Sequence, residues 1–333
     1  MNFLLKRKIL NEHKKNDIRK KHSWKINRNK IKRKYKNEIN PKKIFAIFIF
    51  TFFYFFSISY PHINISLEST KYPTDDITIV TALYRIPTPR HRFTEYFDWL
   101  DNFLQINRSI VFFLQKNLSE IVKSKRPKIY ENKTIWIENE FSDLYFYKYK
   151  KEFEKTCKYD GYKFGASHTV PLFIIWNEKL KFLEKAINAN YFKSNYFFWI
   201  DAGFFRDKND ISQYINNWPS IKRCEENPRV ILNKIRNISA EEYEKLAAFD
   251  ENAHNRFKND FNIAGNAYGG RADYLIKFIN YYYEIFKLFI EKKKFIGLDQ
   301  NLYAFLSYLH PDIAKRVYSG DYGFLKSYYL EKS

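Results

Sequence analysis

Glycine, proline, cysteine and methionine are all scarce in this chain: nine, ten, two and one among 333 residues. The two cysteines, Cys157 and Cys224, allow at most one disulfide, which excludes a disulfide-held scaffold; whether they pair or remain thiols stays open. There is no internal repeat. No glycine run ends in Gly-Lys-Ser/Thr, and none has the dinucleotide spacing, so a phosphate loop and a nicotinamide fingerprint are both excluded. What is abundant is aromatic, with 27 Tyr and 33 Phe, and hydrophobic residues make up 45% of the chain. That is enough for a real core and argues against disorder throughout. The accompanying excess of Lys and Asn reads as a base-composition bias rather than as function.

The formal charge of +21 is concentrated at one end. Residues 1–43 hold 17 Lys or Arg against Glu12, Asp17 and Glu38, so this tail carries +14 and the rest of the chain only +7. The tail lacks glycine-arginine repeats and, beyond the extreme N-terminus, offers only Trp24 and Tyr35 for stacking, so no nucleic-acid partner is expected. Directly after it, residues 44–60 form an uncharged run of 17, the short end of the transmembrane range. A cleaved signal peptide fits less well, because the charged region is long and no small-residue cleavage site follows. The Lys and Arg excess places the N-terminus in the cytoplasm. The expected layout is a single-pass type II membrane protein with a basic tail (1–43), a transmembrane helix (44–60), a stem (61–76) and a globular domain (77–333) in the endoplasmic reticulum or Golgi lumen, or outside the cell. The glycosylation pattern Asn-X-Ser/Thr, found at Asn64, Asn107, Asn117, Asn132 and Asn237 and only after the apolar run, agrees with that orientation.

Within the globular part, "ITIVTAL" (77–83), "SIVFFL" (109–114), "KTIWIE" (133–138), "YFFWID" (196–201) and "RVILNKI" (229–235) read as short strands rich in β-branched and aromatic residues. Helical spacing appears from Phe93 to Leu104 and from about His168 to Ala189. In the segment 271–294, Leu275, Phe278, Ile279, Tyr282, Phe286 and Phe289 form an apolar stripe, and the segment 298–309 is expected to bury Leu302, Phe305, Leu306 and Leu309. Strands alternating with helices predict an α/β fold: a mixed, mostly parallel sheet with helices on both faces.

In such sheets ligands bind beyond the carboxyl ends of the strands, and "WIDAG" puts Asp201 at one of those ends, followed by Ala202 and Gly203, which leave room for a ligand. A carboxylate there either holds Mg²⁺ or Mn²⁺ or caps the next turn. "NIAGNAYGG" reads as a loop in which three glycines, Gly265, Gly269 and Gly270, let the backbone approach a ligand and the amides of Asn262 and Asn266 can donate to sugar hydroxyls, or as an ordinary turn. "GLDQN" places Asp299 and Gln300 in the first turn of the last helix, where an acid suits the helix dipole or activates a hydroxyl. Arg85, Arg90 and Arg92 follow the first strand, where cations suit a diphosphate, although surface arginines are the commoner case. His168 and Lys179 read as packing or surface residues.

"TIVTALYRI", "RFTEYFDWL", the segment from Trp176 through "WIDAGFFR", "FNIAGNAYGG" and "GLDQ" together resemble the HtrL/YibB family over residues 77–310. The resemblance implies an A-type glycosyltransferase fold and a transfer from a nucleotide-sugar donor to a glycan or glycoconjugate acceptor. It also implies that Thr81, Ala82 and Tyr84 cradle the nucleoside, that Arg90, Arg92 and Gly203 face the diphosphate, and that Asn262, Ala264, Gly265 and Gln300 border sugar and acceptor. Asp299 is then the candidate for acceptor activation and Asp201 the metal carboxylate. The A-type signature has two aspartates separated by one residue; here the second falls on Gly203. Asp207 could take that role, one carboxylate could suffice, or Arg206 and the arginine loop could replace Mn²⁺ or Mg²⁺. A binding protein that kept the fold without catalysis is the competing expectation.

Overall fold

The computed structural model describes residues 72–330 apart from 88–91, 164, 210, 217 and 236–262. The basic tail, the apolar run, nearly all of the stem, Arg90, Asn262, Asn64 and Asn237 therefore lie outside the described residues. The chain divides at Leu67 and Glu68 into two units, and everything described belongs to the second. Among the described residues no helix is long and apolar enough to cross a membrane.

Seven strands form one sheet in the order β3-β2-β1-β4-β6-β5-β7: β1 (Ile77–Leu83), β2 (Ser109–Gln115), β3 (Thr134–Asn139), β4 (Tyr196–Ile200), β5 (Val230–Lys234), β6 (Ile263–Arg271) and β7 (Ala314–Tyr318). β1 pairs in parallel with β2 and β4, β2 with β3, and β5 with β7, while β6 runs antiparallel to both of its neighbours. The sheet is thus mixed and mostly parallel. Parallel strands covered on both faces need apolar residues on both, and "ITIVTAL" and "YFFWI" supply them. Val80, Phe197 and Trp199 join one core, with the helices α2 (Val170–Ala189), α3 (Ala272–Glu291) and α4 (Asp299–Leu309). Ile77, Ile79, Phe198 and Ile200 join the other, against α1 (Phe93–Phe103) and the segment after β7.

α2 starts where Thr169 caps it, its hydroxyl accepting from the Leu172 N–H at 3.4 Å, and stops at Asn190, whose φ of 36° leaves the helical region. All six stripe residues of α3 are buried. In α4, Leu302, Phe305 and Leu306 are buried, but Leu309 sits in the last turn and is 44% exposed. "NAYGG" also differs from its expected form, because it is strand rather than loop. β6 threads between β4 and β5, where a Cβ at Gly269 would lie 2.2 Å from the Phe198 ring and one at Gly270 2.7 Å from the Arg229 carbonyl oxygen. Those two glycines admit neighbouring strands rather than a ligand. The cysteines are both free thiols: Cys157 packs against the α2, α3 and α4 core and Cys224 lies in the opposite one, so the sheet separates them.

Candidate functional site

Strand order reverses between β1 and β4. β1 is followed in the chain by its neighbour β2 on one side, and the chain then returns to lay β4 on the other, which opens a crevice at their carboxyl ends. There the structure has a cleft of about 1080 Å³. Residues 82–87 leave β1 along one side and residues 201–204 leave β4 along another, with the first half of α2, Gly265 and Asn266 of β6, the start of α4, and Tyr322, Gly323 and Lys326 completing the wall.

At its base sits a buried lysine. On α2, Trp176, Lys179, Leu183 and Ala186 recur at helical spacing, and Lys179 follows this stripe inward until its side chain is only 4% exposed. Its Nζ donates to the Gly265 carbonyl at 2.7 Å and lies 3.1 Å from Asp201 Oδ1 and 3.6 Å from Asp299 Oδ2. The indole Nε1 of Trp199 donates to the same Asp201 oxygen at 2.7 Å, and the Gln300 N–H donates to Asp299 Oδ1 at 2.9 Å. Gly265 permits this approach, since a Cβ there would meet Asp299 Oδ2 at 3.0 Å. Trp199 in turn stacks on Phe182, and Phe182 on Tyr84, so an aromatic column fixes the base of the site.

Two acids share one buried ammonium, and the buried acid, Asp299, titrates accordingly. Burial pushes the Asp299 carboxyl up to about 6, with the Asp201 charge adding to the rise and Lys179 opposing it. Burial pulls Lys179 down, but Asp201 and Asp299 outweigh it and hold the ammonium above the ordinary lysine range. Among the described residues the cleft lining carries five cationic side chains, Arg85, Arg92, Lys179, Arg206 and Lys326, against the two carboxylates. Arg85 lies over Phe93, Arg206 over Trp99 and Lys326 over Phe204, so aromatic faces position three of them. A surplus of positive charge in a concave site favours a polyanionic ligand.

Of the residues singled out from sequence, Ala82, Tyr84, Arg92, Asp201, Gly203, Gly265, Asp299 and Gln300 line the cleft. Thr81 and Ala264 are buried inside β1 and β6 and lie behind it. Arg90 and Asn262 lie outside the described residues. Asp207 sits in an exposed turn, accepting from the Asn209 N–H, and is not part of the lining. His168 pairs with buried Asp160 at 2.8 Å and packs edge-on against Trp176, which makes it a support rather than part of the lining. Arg206 and Asn266, both singled out from sequence, also line the cleft, whereas sequence reasoning did not assign Trp176 or residues 322–326 to it and read Lys179 as a packing or surface residue. For Lys179 the signal was present, as a charge set within an apolar stripe.

The donor set is a poor match for a divalent metal. Among the described residues no group of three or more His, Cys, Asp or Glu could hold one. Asp201 and Asp299 are already bridged by an ammonium, and a second carboxylate at position 203 has no room, because a Cβ there would lie 2.7 Å from the Trp99 ring. Among families of known proteins, the one described as "Bacterial protein of unknown function (HtrL_YibB)" matches residues 75–325. No curated protein matches the chain.

Proposed function

This chain belongs to the HtrL/YibB family, and we propose that it is a glycosyltransferase that moves a sugar from a nucleotide-sugar donor to a glycan or glycoconjugate acceptor. The observation that carries the reading is the Lys179–Asp201–Asp299 cluster at the base of a cation-rimmed cleft, set at the point where strand order reverses. Such crevices take nucleotides in open α/β sheets. The end of β1, with Tyr84, Arg85 and Pro87, forms the nucleoside side of the cleft, and Arg85, Arg92 and Arg206 attract the diphosphate. Asp299 accepts the proton of the acceptor hydroxyl as its oxygen bonds to the anomeric carbon. The bond from that carbon to the diphosphate breaks, and the electron pair leaves with the nucleoside diphosphate. A carboxylate with a pKa near 6 is ionised at neutral pH yet more basic than an ordinary aspartate, which suits this task. If the sugar's configuration is retained, Asp299 positions substrate instead.

The membrane layout belongs to the same proposal: residues 44–60 anchor the chain, and the cleft lies on the lumenal or outer side. Supporting it, Asn117 and Asn132 are exposed on the described domain. A second reading, a binding protein without turnover, is favoured by one observation, the filling of the second carboxylate's position by Trp99. Both readings are tested on the full chain in mild detergent, by thermal stability against UDP-, GDP- and CMP-sugars and by release of free nucleotide. A ligand that binds only the folded state raises the melting temperature. A shift with nucleotide release on adding an acceptor mixture establishes the transferase. A shift without release, for any acceptor, establishes the binding protein. No shift with any donor removes both readings.

A further inference from the structure

Resting on that reading, we infer that the Lys179 ammonium takes the place of a divalent cation, and that the cleft holds a nucleoside diphosphate without metal. Three observations converge. The ammonium donates to the Gly265 carbonyl at 2.7 Å and lies 3.1 Å from Asp201 and 3.6 Å from Asp299, and so occupies the space between the two carboxylates that line the cleft among the described residues. A metal bound to the same Asp201 oxygen would stand beside the full positive charge of a buried ammonium. Position 203 is closed to a second carboxylate by Trp99, and Asp207 points its carboxylate into its own turn.

The ligand's charge is met elsewhere. Arg85, Arg92, Arg206 and Lys326 line the mouth and sides of the cleft, and among the described residues no acid lines it besides the two beside Lys179. Guanidinium groups bind phosphate oxygens directly and in pairs, so the negative charge of a diphosphate is compensated by side chains. Lys179 is then a fixed counter-charge: it cancels carboxylates that would otherwise repel the ligand, and it holds Asp201 and Asp299 in one geometry. Its ammonium donates to the Gly265 carbonyl and lies against the Asp201 and Asp299 carboxylates, so it is a positioning residue rather than a direct phosphate ligand.

The test measures binding of UDP and GDP to the full chain by calorimetry, first in EDTA and then with Mn²⁺ or Mg²⁺. Affinities within about twofold of each other support the inference. An affinity that rises by about tenfold or more with either metal overturns it and leaves the glycosyltransferase reading standing. No affinity for either nucleotide under any condition overturns the inference, and the glycosyltransferase reading falls with it only if no UDP-, GDP- or CMP-sugar raises the melting temperature. Lys179→Met, of similar length and uncharged, gives a second readout after its fold is checked by circular dichroism. Two uncompensated carboxylates weaken UDP or GDP binding in EDTA by about tenfold or more, and Mn²⁺, now able to sit between them, restores it. Binding in the folded variant that equals wild type in EDTA, or that Mn²⁺ does not restore, overturns the proposal. Lys179→Arg, too large for the space between Gly265 and the acids but still charged, is not rescued by Mn²⁺. Rescue of that variant would mean that the metal binds elsewhere and would also overturn it.

Discussion

Asp299 and Lys179 show how far a residue's role depends on what the fold places against it. Asp299 was legible because a Gly-Leu-Asp-Gln stretch opening a helix draws notice in any sequence. Lys179 carried a weaker signal, a charge within an apolar stripe, and read as a packing or surface residue beside the polar Asn177 and Glu178, yet all three side chains are buried. Asn177 bonds back to Phe173 and across to Ile296, and Glu178 receives the N–H groups of Tyr145 and Phe146, so each polar group is matched by a tertiary partner that no local pattern reveals. At this scale the pH profile is the sharpest measurement. Asp299 works as a base only when ionised, so transfer rate should rise through pH 6 and level off above it. Asp299→Asn should remove that limb and lower kcat by about 10²- to 10⁴-fold, with nucleotide binding retained. Gly203→Asp should likewise fail to install a metal site. Its Cβ collides with Trp99, and the expected outcome is a loss of about 1–3 kcal/mol of stability in urea unfolding with no gain in Mn²⁺ affinity.

Elements with a clear period were readable, and those defined by their neighbours were not. β1, β2, β3, β4 and β5, together with the four long helices, follow from β-branched runs and apolar stripes, with boundaries within a few residues of expectation. β6 was hidden because its glycines signal a loop locally, whereas the sheet uses them to let β4 and β5 close in from both sides. β7, "AKRVY", was missed because only Ala314 is fully buried there; it is a strand by virtue of its pairing with β5. Gly269→Ala separates the two views of β6. A loop serving a ligand would lose binding, while a strand packed on Phe198 should lose stability, by about 1–3 kcal/mol, and keep its nucleotide affinity in the folded fraction.

For the molecule as a whole, the two faces of the sheet are chemically separate, and the thiols report it. Cys224 is buried and its thiol is pushed up to about 12 by that burial, whereas Cys157 is partly exposed. Reducing agent should leave the melting temperature unchanged, and maleimide should label Cys157 in the native protein but Cys224 only on unfolding. The proposed membrane layout is checked just as directly: expressed in a eukaryotic secretory host, the chain should carry endoglycosidase-sensitive glycans at the exposed Asn117 and Asn132. One long-range arrangement governs when such a molecule can first act. After β7, at the sheet's edge, the chain turns back: Asn266 donates to the Tyr322 carbonyl, Trp218 to that of Lys326, and Tyr329 meets the Phe198 ring in the middle of the sheet. The cleft thus borrows a wall from a segment that the ribosome makes after all seven strands. The seven strands alone therefore leave the cleft open on that side, and the site is complete only once the segment that carries Tyr322 and Lys326 has docked onto a sheet already formed.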